Sequence, residues 1–96
     1  MCLYLKRRWN ESRGDNYDAW GKSWWYFEVE PDGSVLRQIE QYDSGVSLRY
    51  DTEQNEDKYG FLTDQTVDVQ DPDFEEICAA EFELVWHQSR TRNVES

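Results

Sequence analysis

The chain has few of the residues that most catalysis and metal binding depend on. It holds one histidine, His87, and two cysteines, Cys2 and Cys78, in 96 residues. Structural zinc needs four such ligands at short spacing, and these three are scattered, so no metal is expected. Cys78 and His87 fall nine residues apart on one predicted helix. Their side chains then point different ways, and they are not assigned as a nucleophile and base. No strand–Ser–helix elbow, phosphate-binding loop or dinucleotide fingerprint occurs. No catalytic set and no cofactor are expected.

Long apolar runs are also missing. None approaches the ~20 residues that span a bilayer as a helix. Lys6-Arg7-Arg8 follows only a short apolar start, which is not signal-peptide patterning. Both cysteines are therefore read as free thiols in a reducing cytoplasm. Basic residues are scarce: 10 Lys and Arg stand against 21 Asp and Glu, a net charge of −11. Nucleic acid and anionic membranes are bound through basic patches, so neither is an expected partner. A basic protein is.

The acids are unevenly spread. Asp51 to Glu83 holds twelve of them and one basic residue, Lys58. Acid–base chemistry uses paired carboxylates, but among so many acids chance pairing singles out none. Asp51, Glu53, Asn55 and Asp57 alternate as in a calcium loop. Glu56 where glycine is required, and Leu62 where a bidentate Glu is required, break that pattern. The stretch reads as a solvated loop.

Aromatics are abundant: five Trp, six Tyr and four Phe in a chain of mean hydropathy −1.00. They bury much area each, which suits a small core, and the surplus suits a binding patch. Their densest run, Ser23 to Glu30, reads as a strand. Pro31-Asp32-Gly33 is turn chemistry, with Pro fixing φ, Asp capping its own backbone and Gly at positive φ. A second strand follows from Val35 to Tyr42, and Asp43-Ser44-Gly45 leads into a third, Val46 to Asp51. With Glu30 opposite Ser34, alternation places Ile39 on the face of Trp25, Phe27 and Val29. A two- or four-residue second turn adds Val46, Leu48 and Tyr50 to it. A three-residue turn would scatter the apolar residues and is rejected. The other face then carries Trp24, Tyr26, Glu28, Gln38, Glu40, Tyr42 and Arg49, with Glu40 opposite Arg49 as an ion pair.

Cys2 to Trp9 reads as another strand, with Leu3 and Leu5 on one side and Tyr4 and Lys6 on the other. Residues 10–22 form a polar loop in which Trp20 docks on the sheet. Thr66 to Val69 is a candidate edge strand. Phe82, Val85, Trp86 and Ser89 recur at helical spacing and predict a helix from Ala79 to about Arg90. Cys78 or its neighbour is the N-cap. Phe82, Val85 and Trp86 should meet Trp25, Phe27, Ile39 and Leu48. The expected fold is α+β: a mainly antiparallel four- to five-stranded sheet on one C-terminal helix. Residues 1–92 form one domain and 93–96 a tail.

Arg37-Gln38-Ile39-Glu40, Leu48-Arg49-Tyr50-Asp51, Asp57-x-Tyr59-Gly60-x-Leu62-x-Asp64-Gln65 and Glu81-Phe82-Glu83-x-Val85-Trp86 follow in order. This series resembles a family of small bacterial domains of unknown function, over about Tyr26 to Trp86. Such domains are similar in size and acidity to immunity proteins of bacterial toxin systems. The resemblance implies that role and supplies no catalytic residues.

The expected function is a non-enzymatic acidic protein-binding domain that blocks a basic, nuclease-like toxin. The candidate surface is Trp24, Tyr26, Glu28, Glu40 and Tyr42, with the acidic segment at Glu53, Glu56 and Asp57 second. Trp20 and Tyr17 covering those aromatics is the plainer alternative. Arg37, Arg49, Tyr50, Asp51, Tyr59, Gly60, Asp64 and Gln65 are structural or line a pocket. Arg37 is expected to reach Asp51, Asp57 or Asp64. Three other functional readings stand. One is a nucleic-acid mimic that blocks a DNA-binding protein. Another is a small-ligand or enzyme domain centred on Arg37, Tyr50, Asp64 and Gln65. The last is a structural domain serving a neighbouring gene product.

Overall fold

The computed structural model of the chain describes residues 2–10, 18–57, 60–63 and 65–89. Its centre is a five-stranded antiparallel sheet: β1 (Leu3–Trp9), β2 (Ser23–Val29), β3 (Val35–Tyr42), β4 (Ser47–Asp51) and β7 (Glu75–Ile77). The spatial order is β4-β3-β2-β1-β7. A small hairpin, β5 (Glu56–Asp57) and β6 (Gly60–Phe61), lies outside it. One helix, α1 (Ala79–Gln88), closes the series. The architecture is the expected α+β arrangement of sheet and C-terminal helix. No helix among the described residues is long and apolar enough to cross a membrane.

The β2–β3 turn forms as its residues dictate. Glu30 N–H donates to the Ser34 carbonyl at 2.9 Å, Ser34 N–H donates to Asp32 Oδ1, and Gly33 takes φ 93°. Val29 accordingly pairs with Val35, but Glu28 pairs with Arg37, so Leu36 is an extra residue on β3. Such a bulge reverses the faces of everything beyond it. Ile39 therefore faces with Tyr26, its partner on β2, instead of with Trp25 and Phe27. Gln38, Glu40 and Tyr42 take the place expected for Ile39.

The rejected three-residue turn is also present. Tyr42 N–H donates to the Val46 carbonyl and Gly45 N–H to the Tyr42 carbonyl, which leaves Asp43-Ser44-Gly45 as the loop. Gly45 supplies φ 102°. This second one-residue change restores β4 to the predicted side. Leu48 and Tyr50 face with Trp25 and Phe27 after all, and Arg49 lies opposite Ile39, not Glu40. Together the two corrections leave Ile39 on the face of Trp24 and Tyr26, and put Gln38, Glu40 and Tyr42 with Trp25, Phe27, Leu48 and Tyr50.

The helix covers one face. Cys78 is its N-cap residue, without a side-chain capping bond. Phe82 is fully buried, with Val85 beside it, against Tyr26, Ile39 and Ile77. Burying a side chain of Phe82's size contributes about 1.5–3 kcal/mol. Trp25, Phe27 and Leu48 lie on the far side of the sheet, so α1 meets Ile39 alone of its four expected neighbours. Arg37 joins helix to sheet. It bonds Glu28 on β2 and Glu83 on α1, and its guanidinium lies 4.9 Å from the ring centres of both Phe82 and Trp86. Among the described residues its carboxylate partners are Glu28 and Glu83 in place of the expected Asp51, because β3's reversed face aims it at the helix; Asp64 and the side chain of Asp57 lie outside the described residues.

The opposite face is covered by residues 62, 63 and 65–74. Val67, Val69 and Phe74 pack over Leu5, Phe27 and Val29, and Leu62 packs over Tyr42, Leu48 and Tyr50. The expected edge strand at Thr66–Val69 does not form. Aspartates supply local bonds in place of a ladder: Asp68 Oδ1 accepts from Gln70 N–H and Asp71 Oδ1 from Asp73 N–H. Such turns compete with strand pairing. The strand at that edge is β7, antiparallel to β1. Trp20, in a 3-10 turn at Asp18–Trp20, docks on Tyr42 with ring centres 5.2 Å apart, as anticipated.

Candidate binding pocket

The strap formed by residues 62, 63 and 65–74 is tied to the sheet by a buried amide, besides the Val67 N–H bond to the Gly33 carbonyl. Gln38, 1% exposed, accepts from Thr63 N–H at 2.9 Å and donates to the Phe61 carbonyl at 3.2 Å. It thereby treats the strap as a neighbouring strand would. The same Nε2 donates to Glu40, whose other oxygen accepts from the Tyr42 hydroxyl at 2.6 Å. Glu40 is only 4% exposed, and a buried carboxylate needs such donors.

Beside this clamp the strap does not fill the space above the sheet. A pocket of about 250 Å³ opens there, lined by Arg7, Trp9, Trp25, Phe27, Thr63, Val67 and Phe74. Trp25 and Phe27 form its floor on β2, and Trp9 and Arg7 extend it along β1. The rings interlock, with Trp9–Trp25 centres 6.3 Å apart and Phe27–Phe74 edge to face at 5.9 Å. Trp25 is fixed by its indole N–H, which donates to Ser23 Oγ at 2.8 Å. Arg7 lies 5.3 Å from the Trp9 ring and 5.7 Å from the Phe74 ring. Trp9 remains 42% exposed at the mouth. Arg7 also meets Asp73 at 3.4 Å, an exposed pair worth little on its own.

The rim is acidic. On the strap, Val67 and Phe74 point down, Asp68 and Asp73 are exposed, and Asp71 is half-buried. Glu76, opposite Leu5 on β7, continues this margin on the same face.

Several cations are held by groups of the same chain, while Lys22 is exposed. Lys6 meets Glu81 and lies over the Trp24 ring, and Arg8 forks onto Asp43 at 2.8 and 3.0 Å. Arg49 donates to the Trp86 carbonyl and stacks on its ring. Burial opposes the charge on Lys6, yet the Glu81 hydrogen bond holds its ammonium above the ordinary range. The Arg8 hydrogen bond likewise holds Asp43 below the usual carboxylate range, and the Arg37 hydrogen bond does the same for Glu83.

The expected binding face does not exist as a surface. Trp24, Tyr26 and Glu28 lie on the helix side, with Tyr26 buried and Glu28 bonded to Arg37 and the Tyr4 hydroxyl. Glu40 and Tyr42 are buried on the other side. The bulge at Leu36 separates the two groups. Trp20 contributes to the cover over Tyr42, while Tyr17 lies outside the described residues. Arg37 and Tyr50 also point to opposite faces, since Arg37 pairs with Asp51 and Tyr50 with Gln38. They cannot line one pocket. Asp51 Oδ1 accepts from the N–H groups of Glu53 and Gln54 and closes the loop.

Glu53 and Glu56 are exposed, as is Gln65, and the backbone of Gly60 opens β6. Tyr59, Asp64 and the side chain of Asp57 lie outside the described residues. Among the described residues, no three His, Cys, Asp or Glu side chains group around a metal position. Cys2 and Cys78 are free thiols that flank the Tyr4–Ile77 pair.

Sequence reasoning missed the pocket: it placed Trp25 and Phe27 under the helix and gave no site role to Arg7, Trp9, Thr63, Val67 or Phe74. The signal was the alternation of apolar and acidic residues in Val67-Asp68-Val69 and its return at Asp73-Phe74, a strip with one greasy and one charged side. No family model matches the chain, and neither a curated protein nor a solved structure is detectably similar to it.

Proposed function

We propose that this chain is a non-enzymatic acidic protein-binding domain: a cytoplasmic inhibitor of immunity type that blocks a basic, nuclease-like bacterial toxin. The supporting observation is the disposition of charge. Lys6, Arg7, Arg8 and Arg37 are paired with carboxylates of the same chain, and Arg49 is bonded to the end of the helix. The chain carries a net charge of −11, and Glu53, Glu56, Asp68, Asp73, Glu75 and Glu76 are exposed. A nuclease binds its substrate through a basic site, and an acidic partner is steered to that site and complements it.

The experiment is affinity capture from lysate of the source organism at low and moderate salt, followed by an assay of the captured protein's nuclease activity. One basic protein held at moderate salt, and inhibited by the purified chain, is the expected result. Many nucleic-acid-binding proteins held only at low salt would indicate mimicry or simple charge attraction instead. Capture of none would refute the proposal.

A further inference from the structure

We infer that the Trp9–Trp25–Phe27–Phe74 pocket receives a single large apolar side chain, aromatic for preference, from a basic segment of the partner protein. This rests on the protein-binding reading above and assigns that reading its anchor point.

Size and lining set the class of occupant. The pocket, at about 250 Å³, has room for one large side chain, and a polar recess of about 440 Å³ at Arg7, Arg8, Trp9, Asn10 and Asp73 adjoins it and has room for the polar residues on either side of that guest. The pocket's walls are ring faces and edges, which favour an aromatic guest in offset or edge-on contact. Buried aromatic anchors of this kind dominate the affinity of protein interfaces.

Charge selects what flanks the anchor. Arg7 stands in the wall, so a Lys or Arg side chain entering the pocket would meet a like charge. An incoming carboxylate would meet Asp73, already paired with Arg7, and the acidic margin of Asp68 and Glu76. The guest is thus uncharged, while its neighbours are cations that reach the rim.

The test uses the whole chain, labelled with nitrogen-15, and three synthetic peptides. The first is rich in lysine with one central phenylalanine, the second has alanine in place of that phenylalanine, and the third keeps the phenylalanine but has glutamate for each lysine. The chain has five indole N–H groups to report the contact. The phenylalanine–lysine peptide should bind about tenfold tighter than its alanine twin. It should shift the indole signals of Trp9 and Trp25 and leave those of Trp24 and Trp86, on the helix face, in place. Trp9→Ala should abolish the preference for phenylalanine.

Equal binding of the two lysine peptides, or shifts mapping away from Trp9 and Trp25, would overturn the pocket assignment and leave the acidic-surface reading standing. Failure of both lysine peptides to bind would overturn both. Equally tight binding of the glutamate peptide would overturn the basic flank. The wild-type comparison stands even if Trp9→Ala does not fold.

Discussion

The Arg37 guanidinium grips the Glu83 carboxylate through both of its terminal nitrogens, Nη1 to Oε1 at 3.2 Å and Nη2 to Oε2, while its Nε holds Glu28. One side chain on β3 thus ties the helix to the sheet, with its guanidinium 4.9 Å from the ring centres of both Phe82 and Trp86. Lysine reproduces the charge but neither the fork nor the stacking. Arg37→Lys should cost about 1.5 kcal/mol, the low end for a charged hydrogen bond. Arg37→Ala, which also strands the partly buried Glu28, should cost about 3 kcal/mol. Urea unfolding followed by tryptophan fluorescence measures both, and a cost near zero for Arg37→Lys would show that the fork adds nothing.

The same pair sets an acid dependence. The Arg37 hydrogen bond lowers the Glu83 pKa below its ordinary 4.5. A group depressed on folding stabilises the fold above its unfolded pKa and loses that contribution as pH falls through the folded value. Stability from this link should therefore be whole above about pH 4.5 and decline below it. Glu83 is 41% exposed, so solvent screening keeps the effect under about 1 kcal/mol. Glu83→Gln should flatten that part of the stability–pH curve, and an unchanged curve would contradict the assignment.

Gln38 is one attachment of the strap, and the Val67 N–H bond to the Gly33 carbonyl is another. Gln38→Leu keeps volume but leaves the Thr63 N–H and the Phe61 carbonyl without it, and takes a donor from Glu40. A loss of about 2 kcal/mol is expected. Amide exchange at Thr63 should quicken more than exchange at Tyr26 on the helix side. Uniform quickening would mean that the strap and sheet open as one.

Gly33 and Gly45 both sit at positive φ, but only one is crowded. A Cβ at Gly33 would lie 2.4 Å from the Val67 carbonyl oxygen, while at Gly45 nothing lies within 4 Å. Both alanine variants carry backbone strain of about 1–3 kcal/mol. Gly33→Ala should lose more, because it also pushes the strap off the turn that bonds Val67 N–H. Comparable melting temperatures for the two would refute the close approach.

The elements were legible because their local chemistry agreed with their packing. Pro31-Asp32-Gly33 turned as written, the aromatic run made β2, and the spacing of Phe82, Val85 and Ser89 gave the buried side of α1. The faces of β3 were not legible. Nothing in Val35-Leu36-Arg37 marks Leu36 as an extra residue, since a bulge is fixed by pairing across the sheet. By alternation Gln38 and Glu40 read as facing away from Trp25 and Phe27, yet they became core, Gln38 bonded by the strap and Glu40 by Gln38 and the Tyr42 hydroxyl. The pocket was hidden for the same reason. Its lining comes from β1, β2 and the strap, and the strap's valines resembled a strand until Asp68 and Asp71 were seen to satisfy the backbone themselves.

The bulge at Leu36 and the loop Asp43-Ser44-Gly45 are the points of this ribbon where a residue has no partner opposite. Length is tolerated there and not between them. Loss of Leu36 would leave Arg37 opposite Glu28 and Ile39 opposite Tyr26, so every face would stand. Loss of one loop residue would keep Tyr42 beside Val46 and close a two-residue hairpin. Loss of a paired residue such as Gln38 would instead carry its neighbours to the wrong face. Evolution can shorten the ribbon at its unpaired points, but it must keep the count of paired residues between them.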